Sequence, residues 1–146
     1  LAIRSRVPDE RWFGSAPELL VDKRGPGADA LIARIDRAAR EYPYPGEYSV
    51  WPGPNSNTFT AWVARAVPEL EVDLPPTAIG KNYLGDRLVA AAPSGSGIQV
   101  SLYGLLGFTA SGIEGLELNV LGLTFGAGLS PPALKLPIIG RIGPLR

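Results

Sequence analysis

Ile98-Gln99-Val100-Ser101-Leu102-Tyr103 and Leu116-Glu117-Leu118-Asn119-Val120 are the stretches whose reading decides the fold. In each, apolar residues alternate with more polar ones, the period of two of a β-strand with one buried face. Ile98, Val100 and Leu102 point one way, as do Leu116, Leu118 and Val120; Gln99, Ser101, Glu117 and Asn119 point the other way. The runs Ile98 to Leu106 and Leu116 to Phe125 are predicted to pair as an antiparallel hairpin joined through Thr109 to Gly112. Its apolar face is predicted to cover helices. Its polar face is left to meet solvent, or to line a site. The span from Leu88 to Ile113 carries no charge, but Pro93, Gly95, Gly97, Gly104 and Gly107 interrupt it. No apolar run of about 18 residues, the length that spans a bilayer, survives.

Two helices precede these strands. Between Ala28 and Glu41, Leu31, Ile32, Ile35, Ala38 and Ala39 fall on one face at helical period. Asp36 and Arg40, four apart, occupy the opposite face, and Pro43 forbids continuation. The second helix places Phe59, Trp62, Val63 and Ala66 on one stripe and ends before Pro68. Asn55, Ser56 and Asn57 are all good caps for its start. Glu47 to Trp51 reads as a short strand leading into it, Leu1 to Val7 as the tail of another, and Trp12-Phe13 as an aromatic anchor. The expected class is α+β: a small, mainly antiparallel sheet with two main helices on one face. Residues 1–130 are expected to form one domain. Residues 131–146, apolar but rich in Pro and Gly, read as a tail without backbone pairing of its own.

Composition narrows the chemistry. Lysine plus arginine and aspartate plus glutamate number 14 each, and residues 1–50 hold eight of each sign, so no basic field points to nucleic acid. There is no Cys, hence no disulfide or thiolate site, and no His, the commonest general base and metal ligand. No metal or cofactor motif is present. Gly80-Lys81 is not a phosphate loop, because Pro75 stands where its first Gly belongs and Asn82 replaces the Ser or Thr.

Ser56 is the candidate nucleophile, placed where a chain turns into a helix N-terminus whose free N–H groups favour a developing anion. It lacks an imidazole, and a serine without a base is a poor nucleophile. Lys81 is the only alternative base in view. Asn55, Asn57, Gln99, Glu117 and Asn119 are the candidate ligand-binding residues, as capping amides and as the polar face of the hairpin.

Trp51-Pro-Gly-Pro-Asn-Ser-Asn-Thr-Phe59, with Leu74-Pro75-Pro76-Thr77-Ala78-Ile79-Gly80-Lys81, Gly115-Leu116-Glu117-Leu118-Asn119 and Ala133-Leu134-Lys135-Leu136-Pro137, resembles an uncharacterised bacterial, membrane-associated family described only as a domain of unknown function. The resemblance implies a cell-envelope location, and an upstream part with a hydrophobic anchor and a His-containing segment. Asn55-Ser56-Asn57-Thr58-Phe59 also resembles the Asn-Cys-x-x-Phe run of permuted papain-like amidases and acyltransferases. That implies a permuted papain-like fold, with Ser56 where the family has its Cys.

Three functions follow as expectations. The first is a non-catalytic papain-like binding or structural module of the envelope. The second is an accessory subunit of a membrane protein complex. The third is a Ser-dependent hydrolase or acyltransferase whose His comes from outside these residues. A membrane surface or membrane complex is the expected partner, with Lys135, Arg141 and Arg146 suited to an anionic surface if the tail is free. The residues name no particular small-molecule ligand, and its identity stays open.

Overall fold

The computed structural model describes Arg11, Gly14 and residues 16–144. The readings at Leu1 to Val7, Trp12-Phe13 and Arg146 lie outside the described residues. Two α-helices, α1 (Ala28–Arg40) and α2 (Ser56–Ala66), precede seven strands: β1 (Val89–Ala91), β2 (Gly97–Leu102), β3 (Leu106–Ser111), β4 (Gly115–Val120), β5 (Leu123–Leu129), β6 (Pro132–Leu136) and β7 (Gly140–Ile142). The strands form one antiparallel sheet in sequence order, each paired with the next. The class is α+β, as the alternation and the helical stripes imply.

The hairpin expectation needs correcting in detail. β2 ends at Leu102, and the chain turns through Tyr103 (φ 51°) and Gly104 (φ 72°). It returns as β3, which includes Thr109 to Ser111, so β3 lies between β2 and β4 and pairs with both. The tight turns are made by Tyr103-Gly104 and by Leu121 (φ 53°) with Gly122 (φ 81°). Left-handed residues in both positions match the twist of a two-stranded ribbon. Tyr and Leu carry few of the usual sequence signals for that geometry, so the extra turn was not legible.

The expected strand at Glu47 to Trp51 is a loop. Its backbone is satisfied locally rather than by a ladder: Ser49 N–H donates to Pro54 C=O (2.7 Å) and Ser49 Oγ to Trp51 C=O (2.8 Å). The segment expected as an unpaired tail is also paired, over residues 132–142. Leu129 to Gly126 pair with Pro132 to Lys135, and Leu134 to Leu136 pair with Ile142 to Gly140. The glycines and prolines sit in the turns and at the strand start, where a missing N–H or a positive φ costs the ladder nothing.

Between helices and sheet runs the irregular segment 71–86, which acts as a middle layer. On its helical side, Val72, Leu74 and Ala78 pack with Ala61 and Ala64 of α2 in the apolar core. Tyr42, Tyr44, Phe59, Trp62 and Tyr83 add edge-to-face ring contacts, with Tyr42 to Phe59 at 5.2 Å. On its sheet side, Lys81 and Asn82 reach Glu117, Gln99 and Thr124. The polar face of the sheet is therefore turned inward and the apolar face outward, the reverse of the expectation. The physical reason is the middle layer. An irregular backbone cannot satisfy its own N–H and C=O groups, so it packs against side chains that can.

Candidate functional site

The start of α2 shows what Asn55-Ser56-Asn57-Thr58 does. Asn55 is the cap: its Oδ1 accepts from Asn57 N–H (2.9 Å) and Thr58 N–H (3.1 Å), and Thr58 Oγ1 accepts from Asn55 N–H (3.1 Å). Asn55 Nδ2 donates to Val50 C=O and Ile79 C=O (3.0 Å each). Asn57 Nδ2 donates to Ile79 C=O (2.8 Å), and Thr58 Oγ1 to Gly80 C=O (2.8 Å). Gly80 (φ 96°) permits this approach, because a Cβ there would overlap the Asn55 amide. The candidate ligand-binding amides Asn55 and Asn57 thus hold the middle layer onto the helix.

Ser56 is the first helical residue and is exposed. Lys81 is fully buried and engaged, its Nζ donating to Leu74 C=O (2.9 Å) and pairing with Glu117 Oε2 (2.9 Å). We therefore expect unequal effects of two neighbouring substitutions. Ser56→Ala should change unfolding free energy by less than about 0.5 kcal/mol, as at an ordinary surface position. Asn55→Ala should cost roughly 2 kcal/mol or more, from the lost cap and the orphaned Val50 carbonyl. Urea titration of the two variants would show the ordering; equal losses would overturn it.

Gln99, Glu117 and Asn119, the remaining candidates, all lie on the inward face and are buried. Glu117 is the hub of an ion cluster. Its Oε1 accepts from Lys81 Nζ (3.1 Å) and from Lys135 Nζ (2.8 Å). Lys135 also donates to Asp73 Oδ1 (2.6 Å) and to Glu114 C=O (2.8 Å), and Arg141 reaches Asp73 Oδ2 (3.1 Å). Burial pushes the Glu117 carboxyl up, but the two ammonium groups outweigh it and leave the carboxyl below its ordinary value. At Asp73 burial wins over Lys135 and the carboxyl is raised. Gly126, opposite Glu117 across β5, leaves room for this cluster: a Cβ there would stand 3.0 Å from Glu117 Cγ.

A second network lies alongside. Arg65 of α2 donates to Ala91 C=O (2.9 Å), Lys81 C=O (3.2 Å) and the Gln99 side-chain oxygen. Gln99 in turn donates to Asn82, and Asn82 to Thr124 Oγ1 (3.2 Å). Desolvation, with Arg87 nearby, lowers the Arg65 guanidinium to about 10. Asn119 Nδ2 donates to Gly104 C=O (2.8 Å), while no donor among the described residues reaches its Oδ1. Glu114 accepts from Ser94 N–H (2.7 Å) and from the hydroxyls of Ser94 and Ser111.

The hairpin pattern flagged the sheet's half of this layer. Asp73, Asn82, Lys135, Arg65 and Arg141 were missed as members of this layer because they come from other elements far along the chain, and Glu114 because it stands in the turn before β4, outside the alternating run. The assignment of Lys135 and Arg141 to an anionic surface is corrected: both point inward and are paired with Asp73. An open cleft of about 800 Å³ lies between the segment 18–23, Leu70 to Thr77 and the β6–β7 turn. The cations at its floor, Lys135 and Arg141, are committed to Asp73.

The outward face is the opposite in character. In register across the sheet run Val100, Phe108, Leu118 and Phe125, flanked by Ile98, Leu116 and Leu134. Each is about half exposed, from 42% at Phe125 to 58% at Ile98. No outward position of β1 to β7 carries a charge or a hydrogen-bonding side chain. Monomeric proteins rarely leave so large a contiguous apolar patch in water. No described helix is long and apolar enough to cross a membrane.

Residues 1–83 match the family described as "Protein of unknown function (DUF3750)", and the chain belongs to that family. No curated protein matches the chain, and no solved structure does.

Proposed function

For this member of a family without an assigned activity, we propose a non-catalytic binding and structural module whose working surface is the outward face of the sheet. The observation that carries the reading is that face: continuous, apolar and uncharged, with every polar side chain of the sheet turned inward. The polar layer serves as a rigid backing, since its ions are paired with one another and with backbone carbonyls. The papain-like element is supported by α2, whose start carries Asn55-Ser56 and which packs through a middle layer onto an antiparallel sheet. In this reading it is a frame without its chemistry: Ser56 is exposed and the chain has no His. The bacterial envelope is the setting in which such a module would hold a complex together.

Two measurements test this. A fluorophosphonate probe should leave the chain unlabelled; stoichiometric labelling abolished by Ser56→Ala would reinstate the hydrolase reading. Leu118→Lys should leave unfolding free energy within about 0.5 kcal/mol of the parent monomer, because a half-exposed side chain contributes little to that monomer's core. A loss of several kcal/mol at this position would show that the face is core and sink the proposal.

A further inference from the structure

We propose that the outward face is closed by a second copy of this chain, the two sheets packing face to face as an isologous sandwich. The inference rests on the reading of that face as a working surface, and adds its occupant.

Size is the first support. Seven strands spaced about 4.8 Å apart, the inner five of five to seven residues and the two edge strands of three, make at roughly 3.3 Å per residue a face about 30 Å wide and about 20 Å long at its middle, tapering to about 10 Å at the edges. With half-exposed Leu, Ile, Val and Phe side chains standing on it, the accessible area is on the order of 1,000 Å² per copy, above the roughly 800 Å² per partner of a stable interface.

Chemistry is the second support. Interfaces between proteins that also exist apart are about as polar as the rest of the surface, and polar groups set their register. This face offers no hydrogen bond and no charge with which to select a different protein. Homodimer interfaces are the more apolar class. A lipid surface fits less well. No cation stands on the face to meet anionic head groups, and among the described residues β1 and β7 are edges with no further strand beside them, whose backbone groups hydrocarbon could not satisfy. The formal net charge is zero, so two copies would not repel one another through a net field.

Relief is the third support. One cross-strand row alternates large and small residues: Ile98, Ala110, Leu116, Ala127, Leu134. The neighbouring row, Val100, Phe108, Leu118 and Phe125, contains no alanine. A twofold axis lying in the interface and crossing the strands between the two rows would lay the fuller row of each copy over the alternating row of the other. Sheets packed this way lie about 10 Å apart with strand directions within about 30°.

The experiment uses the full chain. Sedimentation equilibrium from about 1 to 100 μM should give twice the chain mass, and Leu118→Lys or Phe108→Lys should give the monomer with an unchanged far-UV spectrum. Tyr48→Lys, on the exposed loop before α2, should leave the dimer intact. A parent chain that stays monomeric, or a dimer indifferent to both lysine substitutions on the sheet, would overturn the proposal. Flotation with phosphatidylcholine vesicles containing phosphatidylglycerol separates this failure from that of the underlying reading. A monomer that floats, and no longer floats with Leu118→Lys, shows a working surface that takes lipid. A monomer that does not float, and is destabilised by Leu118→Lys as a core position would be, ends both ideas.

Discussion

Glu117→Gln should cost about 3–5 kcal/mol of unfolding free energy, the magnitude expected when one member of a buried ion network is neutralised. Glu117 is 3% exposed and takes both Lys81 and Lys135. Glutamine keeps the size but removes the charge, and directs an amide toward two ammonium groups. Lys135 would keep Asp73, whereas Lys81 would keep only the Leu74 carbonyl. Domains of this length are stable by roughly 5–15 kcal/mol, so the loss is a large fraction of the whole. The effect should also depend on pH with a definite sign. The folded Glu117 carboxyl lies below its ordinary value of 4.5. Its contribution is therefore full above that value and is lost as pH falls through the folded one. The gap between parent and variant, wide at pH 7, should close on acidification, because a protonated Glu117 resembles the glutamine. Asp73, raised by burial, works in the other direction and does so in both proteins. Urea titrations at neutral and acid pH would measure the gap; one that widened toward acid would refute this account.

The cluster also explains which parts of the molecule could be read from residues alone. Helical period placed α1 at Ala28 to Glu41, and the structure ends it one residue earlier, at Arg40. Alternation put Gln99, Ser101, Glu117 and Asn119 on one face, and they share it. Periodicity of two separates faces but does not say which one is inside. That choice depends on what covers the sheet, and here the cover is an irregular segment with backbone groups to satisfy, not the apolar stripe of a helix. Nothing local to β4 announces that Glu117 will meet Lys81, 36 residues earlier, or Lys135, 18 residues later. The capping residues were legible as a set of three. Choosing Asn55 required knowing that Val50 and Ile79 bring carbonyls to its amide, a long-range fact. The strand expected at Glu47 to Trp51 failed for the same reason: Tyr48 and Val50 have the composition of a strand, but among the described residues no neighbouring strand comes to pair with them.

Turning a polar face inward and an apolar face outward ties stability to association. The ion cluster fixes how the middle layer sits on the sheet, and so which residues the outer face presents. A charged or polar core is costly to desolvate, and such groups are retained in some proteins because they enforce one arrangement among several. Here the enforced feature would be a flat apolar face kept free of polar groups. Substitutions in the cluster should therefore weaken association as well as stability. Substitutions on the outer face should weaken association alone.

Truncation after Ser130 carries the second large effect: the shortened chain should lose cooperative unfolding altogether. The cut removes β6 and β7, and with them the ladder along Gly126 to Leu129 of β5. It also removes Lys135 and Arg141, the two cations that hold Asp73, and one of the two that hold Glu117. Two largely buried carboxylates would be left sharing Lys81. Broken buried pairs at about 3–5 kcal/mol each approach the roughly 5–15 kcal/mol that such a domain possesses. Lys135→Met should be milder than the cut, since Lys81 still meets Glu117 and Arg141 still meets Asp73. Ile138→Ser, at the exposed tip of the β6–β7 turn, should stay within about 0.5 kcal/mol. Graded losses in that order, followed by circular dichroism on heating, would place the stabilising contribution in the paired strands and their cations rather than in the apolar turn. A truncated chain that melts cooperatively within a few degrees of the parent would show instead that residues 131–146 are dispensable to the fold, and would restore them as a free contact arm.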